Sequence, residues 1–430
     1  IFLMKKNYTS NFKIFFSTLI LISSICFAQT NEQKKIITKD YDLIKLKTLE
    51  NKFKQSFNKD KKEAIKFAKD NNLPIRYSDE NGTLYEIKKI SKNGKPQYYK
   101  TFNNSDAAIS TRTNFLNSSS FFGYNLDGQN MNVHVWDGGL ANPGHVEYDG
   151  TGGDNRYSVA DGSGSLNFHG AHVTGTIINS GVNSNAKGMA PEAFAYGYDW
   201  NNDVSEAANA ATSGMLLSNH SYGYDSSGTS FNDNLFGMYN QDSKDWDELM
   251  YNAPYYLMIV AAGNDGNNNG YNSNPINGNI LYDKLTGHAV SKNNLVIANG
   301  NDANISFTGE LISVSRNASS SEGPTDDFRV KPDLMGNGTG LYSSLSSTST
   351  AYGTLTGTSM ASPNVCGSLL LLQQYYNQEY GNFMKASTLK GLALHTADDV
   401  SLAGPDATTG WGLMNSKFAA ETITKNNKES

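Results

Sequence analysis

Gly357-Thr358-Ser359-Met360-Ala361-Ser362-Pro363 opens a run that continues with helical character through residues 369–376. Small residues ahead of an apolar helix let another backbone approach closely. The start of a helix also presents N–H groups without intrahelical partners and the positive end of the helix dipole, which suits a developing negative charge. A serine hydroxyl is nevertheless a poor nucleophile near neutral pH and needs an imidazole to take its proton. That imidazole needs a carboxylate to fix its tautomer and stabilise its charged form. Both occur upstream of Ser359. His169-Gly170-Ala171-His172-Val173-Thr174-Gly175-Thr176 is a small-residue segment suited to the start of a tightly packed helix. Residues 131–136 read as a short apolar strand that ends at Asp137 before a Gly138-Gly139 turn.

Between and beyond these segments, strand-like and helix-like stretches alternate. Residues 255–262 read as a second apolar strand ending at Gly263-Asn264, 204–217 and 235–251 carry helical patterning, and 216–222 holds a strand. Such alternation predicts an α/β fold with a parallel sheet covered on both faces, in which reactive groups gather where strands end and helices begin. Each candidate has a plainer alternative. Asp137 is also a good turn residue, and Ser359 and Ser362 are both good helix caps. His172 competes with His169, whereas His145, in Gly144-His145-Val146, reads as structural.

These segments resemble the subtilisin-like serine proteases, or subtilases, together with Ser221-Tyr222-Gly223, Ala261-Ala262-Gly263-Asn264, Ser321-Glu322-Gly323-Pro324, Lys331-Pro332-Asp333 and Gly410-Trp411-Gly412. They occur in that family's order over roughly residues 114–420. The resemblance implies a three-layer α/β/α fold with a mostly parallel central sheet, preceded by a small α/β propeptide domain. It implies a serine endopeptidase that works through an acyl-enzyme, with Asp137, His169 and Ser359 as the triad, in the chain order known for subtilisin. It further implies Asn264 as the side-chain oxyanion donor, the backbone N–H of Ser359 as the second donor, and the first His of the pair as the general base. Ser221, Tyr222 and Gly223 on one side and Ala261, Ala262 and Gly263 on the other would then flank an extended polypeptide substrate, pairing with it as added strands.

Three positions depart from the family's pattern. Gly138 stands where Thr or Ser usually follows the aspartate, Ala171 replaces Thr between the two histidines, and Tyr222 replaces Leu in the substrate strand. None removes a reactive atom, but they bear on rate and on the primary specificity pocket. The expected specificity is broad, leaning to apolar or aromatic residues, with Asp265 either biasing the pocket toward basic ones or pointing to solvent. No cofactor is needed for the chemistry. Subtilases often hold structural calcium, and residues 264–279, 225–234 and 179–185 are rich in oxygen donors, but no spacing there dictates a cage, so no metal ligands are assigned.

Composition divides the chain. The 430 residues carry a net charge of −6, yet residues 29–110 hold 18 Lys and Arg against 11 Asp and Glu, and residues 111–430 hold 14 against 30. A basic first segment and an acidic second one favour docking of one on the other, and the acidic balance argues against a nucleic-acid partner. The expected organisation is a signal peptide over 1–28, a propeptide over 29–110 that assists folding and inhibits until cut, a peptidase domain over 111–425 and a polar tail over 426–430. The leader has Lys5, Lys6 and Lys13 before an apolar run that closes at Ala28. It is too short to span a membrane, so a soluble exported monomer is expected, acting on polypeptides and on its own propeptide. A further sorting or binding domain beyond Ser430 stays open. Loss of the leader removes Cys26 and leaves Cys366, seven residues after Ser359, as a small buried hydrophobe without a disulfide partner.

Two other classes fit less well. An α/β-hydrolase esterase needs Gly-x-Ser-x-Gly and the order Ser, Asp, His, whereas Ala361 stands at the second Gly here and the order differs. An exported binding protein on an inactive protease fold should lack a triad member, and all are present.

Overall fold

The computed structural model describes residues 29–78, 84–91, 94–101, 107–120, 122–149, 155–227 and 231–429. The expected leader lies outside them. The N-terminal segment forms helices α1 (Asn31–Thr38) and α2 (Leu43–Asp70) and strands β1 (Arg76–Ser78), β2 (Leu84–Ile90) and β3 (Pro96–Thr101). A reciprocal box starts α1: Thr30 Oγ1 accepts from the Gln33 N–H while the Gln33 side chain accepts from the Thr30 N–H. Asp42 caps α2 by accepting from the Lys45 N–H. Leu46, Leu49 and Phe53 fall on one face of α2 and are buried, with Ala64 and Ala68 continuing the stripe. Phe57, one turn beyond Phe53, is half-buried.

The larger unit runs β4 (Asn132–Asp137), β5 (Tyr157–Val159), α3 (Phe168–Ile178), β6 (Phe194–Asp199), α4 (Asp203–Thr212), β7 (Leu217–His220), β8 (Tyr222–Tyr224), α5 (Gln241–Asn252), β9 (Leu257–Ala261) and β10 (Leu295–Gly300). It continues through β11 (Asn304–Ile305), β12 (Leu311–Ser313), β13 (Leu334–Asn337), β14 (Leu341–Ser344), β15 (Tyr352–Leu355), α6 (Thr358–Tyr380), α7 (Ala386–His395) and α8 (Ser416–Glu429). Seven strands form one parallel sheet in the order β13-β10-β9-β7-β4-β6-β5, flanked by helices in a three-layer α/β/α arrangement. Every residue of β4, β9 and β10 is buried, as strands covered on both faces require. Helix α6 lies across β7, β9, β10 and β13 and against α3, while α2 of the N-terminal segment rests on α4 and α5. Leu369, Leu370, Leu371 and Leu372 of α6 are fully buried, each contributing about 1.5–3 kcal/mol of transfer free energy.

Several boundaries differ from the sequence reading. The helix expected over 204–217 stops at Thr212, where Gly214 turns the chain at φ +86° into β7. The strand expected over 216–222 divides at Ser221: β7 pairs in parallel with β4 and β9, whereas β8 pairs antiparallel with β3. The junction between the expected propeptide and peptidase domain is packed. Arg112 is fully buried, donates to the carbonyls of Gly309, Ser110 and Met414 at 3.1, 2.8 and 3.3 Å, and pairs with Asp398, which ties this stretch to the larger unit. At the other end, α8 carries on into the expected polar tail.

Candidate active site

The C-terminal ends of β4, β7 and β9 converge, and each delivers a residue singled out from the sequence. Asp137 is the last residue of β4 and only 1% exposed. His169 is the second residue of α3, whose start is capped by Asn167 accepting the His169 N–H at 2.7 Å. The imidazole Nδ1 lies 2.8 Å from Asp137 Oδ1 and 3.0 Å from Oδ2. A carboxylate only accepts, so Nδ1 carries the hydrogen and Nε2 is the basic nitrogen. Gly170 permits this approach: a Cβ there would stand 2.0 Å from the Gly139 carbonyl oxygen and 3.3 Å from Asp137 Cβ. Gly138, which lacks the usual hydroxyl, gives Asp137 Oδ1 its backbone N–H instead, at 2.7 Å.

Ser359 is fully buried in the first turn of α6. Its hydroxyl donates to the Ser221 carbonyl at 2.9 Å, and its carbonyl accepts from Ser221 Oγ at 2.6 Å. Its proton is therefore directed to Ser221, while His169 sits against Asp137. Ser362 donates to Asn219 Oδ1 at 2.7 Å beneath the strand end, which makes it a structural residue. His172 is also structural, with Nε2 2.9 Å from the Leu341 carbonyl and its pKa held down at about 3 by burial. His145 Nε2 contacts the Ala351 carbonyl at 2.9 Å.

Asn264 follows β9. Its Oδ1 accepts from the N–H and the hydroxyl of Thr358, at 2.9 and 3.0 Å, so the amide is oriented by the residue before Ser359 and its NH2 end is left to donate. Tyr222, Gly223, Ala261, Ala262 and Gly263 line one narrow pocket together with Asp265, Lys284 and His288. Asp265 is buried and accepts from Ser226 Oγ at 2.6 Å, and Lys284 pairs with Glu322 at 3.0 Å, so both signs of charge border the pocket. Ser321 Oγ accepts the Asp265 N–H, and a Cβ on Gly263 would come 2.8 Å from that oxygen, which places the 321–324 segment behind the pocket wall. Lys331 and Asp333 form a buried 2.5 Å pair whose carboxylate also takes the Val296 N–H, locking β13 to β10. Cys366 is fully buried, and burial pushes its thiol pKa up, away from nucleophilic use.

Residues 128–412 match the Subtilase family. The chain belongs to that family. This subtilase is 26% identical over 303 residues to Subtilisin DY of Bacillus licheniformis, covering 68% of this chain and 92% of the relative. Among solved structures, it is similar to the prenylagaramide maturation protease PagA, at 20% identity and TM-score 0.49 over 68% of this chain and 93% of the other. It is also similar to the S218A mutant of the protease domain of PatA, at 19% identity and TM-score 0.49 over 69% and 96%. It is a serine-type endopeptidase, a hydrolase acting on polypeptides.

What sequence reading did not find in the subtilase is how its N-terminal segment reaches the site. β3 pairs antiparallel with β8, with Tyr99 opposite Tyr224, Lys100 opposite Gly223 and Thr101 opposite Tyr222. The strand singled out for substrate is thus occupied by the chain's own segment. Arg76 donates to the Gly138 carbonyl, next to Asp137, and pairs with Asp199 at 3.1 Å. Lys88 reaches Asp203 at 3.1 Å, Lys89 reaches Asp242 at 2.7 Å, and Lys45 and Lys52 reach Glu248 at 3.1 and 2.8 Å. The basic count of residues 29–110 was the available signal, but it names none of these partners.

The loop over 179–185, one of the oxygen-rich stretches, turns donors inward. The N–H groups of Gly181, Val182 and Asn183 converge on the buried Glu147 carboxylate at 2.7, 3.0 and 2.8 Å. That polarity is the reverse of what a cation needs. Among the described residues no three His, Cys, Asp or Glu side chains gather as a metal site. Nor is any described helix long and apolar enough to cross a membrane.

Proposed function

We propose that this subtilase is exported as a precursor and hydrolyses polypeptides through Asp137, His169 and Ser359, with residues 29–101 as its inhibitor until they are cut away. The observation that carries the reading is the 2.8 Å contact of Asp137 with His169 Nδ1, in a chain whose Ser359 opens α6. His169 Nε2 takes the Ser359 proton as Oγ attacks the substrate carbonyl, and Asp137 stabilises the imidazolium. The oxyanion draws on the Asn264 amide and the Ser359 N–H at the positive end of α6. His169 then protonates the leaving amine, and water releases the acyl group by the reverse path.

The pairing of β3 with β8 supports inhibition by occupancy, because a segment lying along the substrate strand excludes substrate. The severed bond falls between Thr101, the last residue paired with β8, and Ala107, which packs on Met189 and Leu341 of the larger unit. A cut close to Ser110 would fall in a segment that is already packed, since Ser110 Oγ accepts from the Asn337 side chain at 2.8 Å. The leader over 1–28 supports export.

The test is to express the wild-type chain and Ser359→Ala in a host free of other proteases. The wild type should yield a shortened chain whose Ser359 is labelled by an organophosphate, located by mass spectrometry, and the variant should accumulate uncut. An unlabelled Ser359 with no protein hydrolysis would instead favour an exported binding protein on this fold.

A further inference from the structure

Tyr99 of β3 is buried among Tyr222, Tyr224, Trp200 and His288, with ring centroids 5.0, 5.5, 5.5 and 6.2 Å away. An aromatic box of this kind would serve any large apolar side chain, but its floor is a carboxylate. Tyr99 OH donates to Asp203 Oδ2 at 3.3 Å, and Tyr222 OH donates to the same oxygen at 3.0 Å. Asp203 is 2% exposed and opens α4, where its Oδ1 accepts from the Val204 N–H at 2.9 Å. The hydrogen bonds around it run in one direction. Asp203 only accepts, so the Tyr222 hydroxyl must donate to it and in turn accept from His220 Nδ1 at 2.9 Å, which leaves His220 Nε2 to accept from Ser218 Oγ at 2.8 Å. Burial holds both His288, in the wall of the box, and His220, beside Tyr222, below their ordinary pKa, which favours their neutral forms. Tyr222 therefore has no second hydrogen to offer, and the Asp203 oxygen takes its remaining phenol from the bound strand.

We propose that this box is a subsite of the mature enzyme that reads tyrosine in preference to phenylalanine at the substrate position opposite Tyr224, with the Asp203 carboxylate selecting the phenol hydroxyl. The inference rests on the endopeptidase reading above. Pairing along β8 uses backbone groups and is blind to sequence, so selection must come from side-chain pockets. Lys88, which holds Asp203 Oδ1 at 3.1 Å, belongs to the N-terminal segment and leaves with it. A substrate tyrosine then restores a donor to the carboxylate, whereas phenylalanine fills the box and leaves that oxygen short of one. Sites built to bind a hydroxyl discriminate strongly against analogues without it.

The chain supplies its own probe. Peptides of residues 96–107 carry the strand that fits β8 and the stretch that is cut, and neighbouring Tyr98, whose hydroxyl goes to the Pro74 carbonyl in the N-terminal segment, is an internal control. With mature enzyme, Tyr99→Phe in the peptide should lower kcat/KM by about tenfold, the size expected for one hydrogen bond to a charged group, and Tyr98→Phe by less than about twofold. Asp203→Asn in the enzyme should shrink the Tyr99 ratio. If that variant does not fold, the wild-type comparison still decides. Equal kcat/KM for the unaltered peptide and its Tyr99→Phe version, with Ser359 labelled and casein cleaved, overturns the tyrosine subsite and leaves the endopeptidase reading standing. Absence of both label and casein cleavage overturns the two together.

Discussion

Ser221 and Ser359 hold each other through a reciprocal pair of hydrogen bonds, from Ser221 Oγ to the Ser359 carbonyl at 2.6 Å and from Ser359 Oγ to the Ser221 carbonyl at 2.9 Å. The reason lies four residues further along α6. Pro363 has no N–H to return to the Ser359 carbonyl, so that acceptor, buried and inside a helix, is left for a donor from outside. Ser221 fills the vacancy and is itself aimed by Asn219, whose Nδ2 donates to Ser221 Oγ at 2.9 Å. Ser359 is thus fixed to the residue between β7 and β8 by the helix defect that the proline creates.

Ser221→Ala should therefore strand the Ser359 carbonyl and cost about 1–3 kcal/mol of stability, read from urea unfolding of the Ser359-labelled, inactive protein. It should also lower kcat more than it raises KM, because the loss is in positioning. Adding Pro363→Ala returns an N–H to the helix and should recover part of the stability but not the kcat. Independent, additive effects of the two substitutions would rule out the link between Pro363 and Ser221.

If the N-terminal segment inhibits as proposed, its ionic docking should make latency salt-dependent. The Lys89 ammonium sits 2.7 Å from both Asp242 oxygens, and this contact lowers the Asp242 pKa against the opposing effect of burial. Lys45, Lys52 and Lys88 add further pairs of varied exposure. Raising salt from about 0.05 to about 0.5 M should shorten the lag before activity appears after self-cleavage, since exposed pairs are screened over this range. Lys89→Ala should shorten it by several-fold even at low salt. A lag indifferent to both would mean that apolar packing of α2 on α4 alone sets release.

Glu147 takes the place at the centre of the 179–185 loop that oxygen-rich composition suggested for a cation. Besides three backbone N–H groups, its carboxylate accepts from Tyr352 OH at 2.8 Å. Glu147→Ala should remove acceptors from several buried donors at once and destabilise by roughly 2–4 kcal/mol, and Glu147→Gln by less, because the amide keeps one acceptor. The check is thermal unfolding with and without chelator. A loss that added calcium fully restores would count against an anionic centre.

How much of this could be read beforehand depended on distance along the chain. Asp137 at a strand end was legible because it is dictated locally, an apolar strand having to stop, and Gly170 was legible only as a small residue, since the Gly139 carbonyl oxygen that a Cβ there would meet at 2.0 Å lies on a separate loop. The fold followed from alternation of elements for the same reason. The break at Ser221 was not legible, since nothing in Leu216-Leu217-Ser218-Asn219-His220-Ser221-Tyr222 marks a division and only the pairing of β8 with β3 divides it. Partners such as Asp203 for Lys88 lie 115 positions apart, and charge totals do not encode such pairings. The inward polarity of the loop at 179–185 was not legible because Asn, Ser and Gly supply donors as readily as acceptors, and which face inward depends on Glu147.

Glu206 gives the folded protein a pH dependence of predictable sign. Burial, only partly offset by the Trp136 Nε1–H that donates to it at 3.0 Å, raises its pKa from 4.5 to about 8, with Asp161, Asp203 and Asp199 adding to the rise. The native state then binds more protons than the unfolded chain between the two values, so stability from this group is complete below pH 4.5 and is lost as pH rises through about 8. Glu206→Gln keeps an acceptor for Trp136 but cannot ionise. The difference in unfolding free energy between variant and wild type should therefore grow in the variant's favour from about pH 5 to about pH 8, reaching about 2 kcal/mol after allowance for partial exposure. Urea denaturation across that range, on protein inactivated at Ser359 to prevent self-digestion, measures it directly. Parallel pH profiles for the two proteins would show that the carboxyl ionises at its ordinary pKa and that α4 contributes no acid-favoured stability.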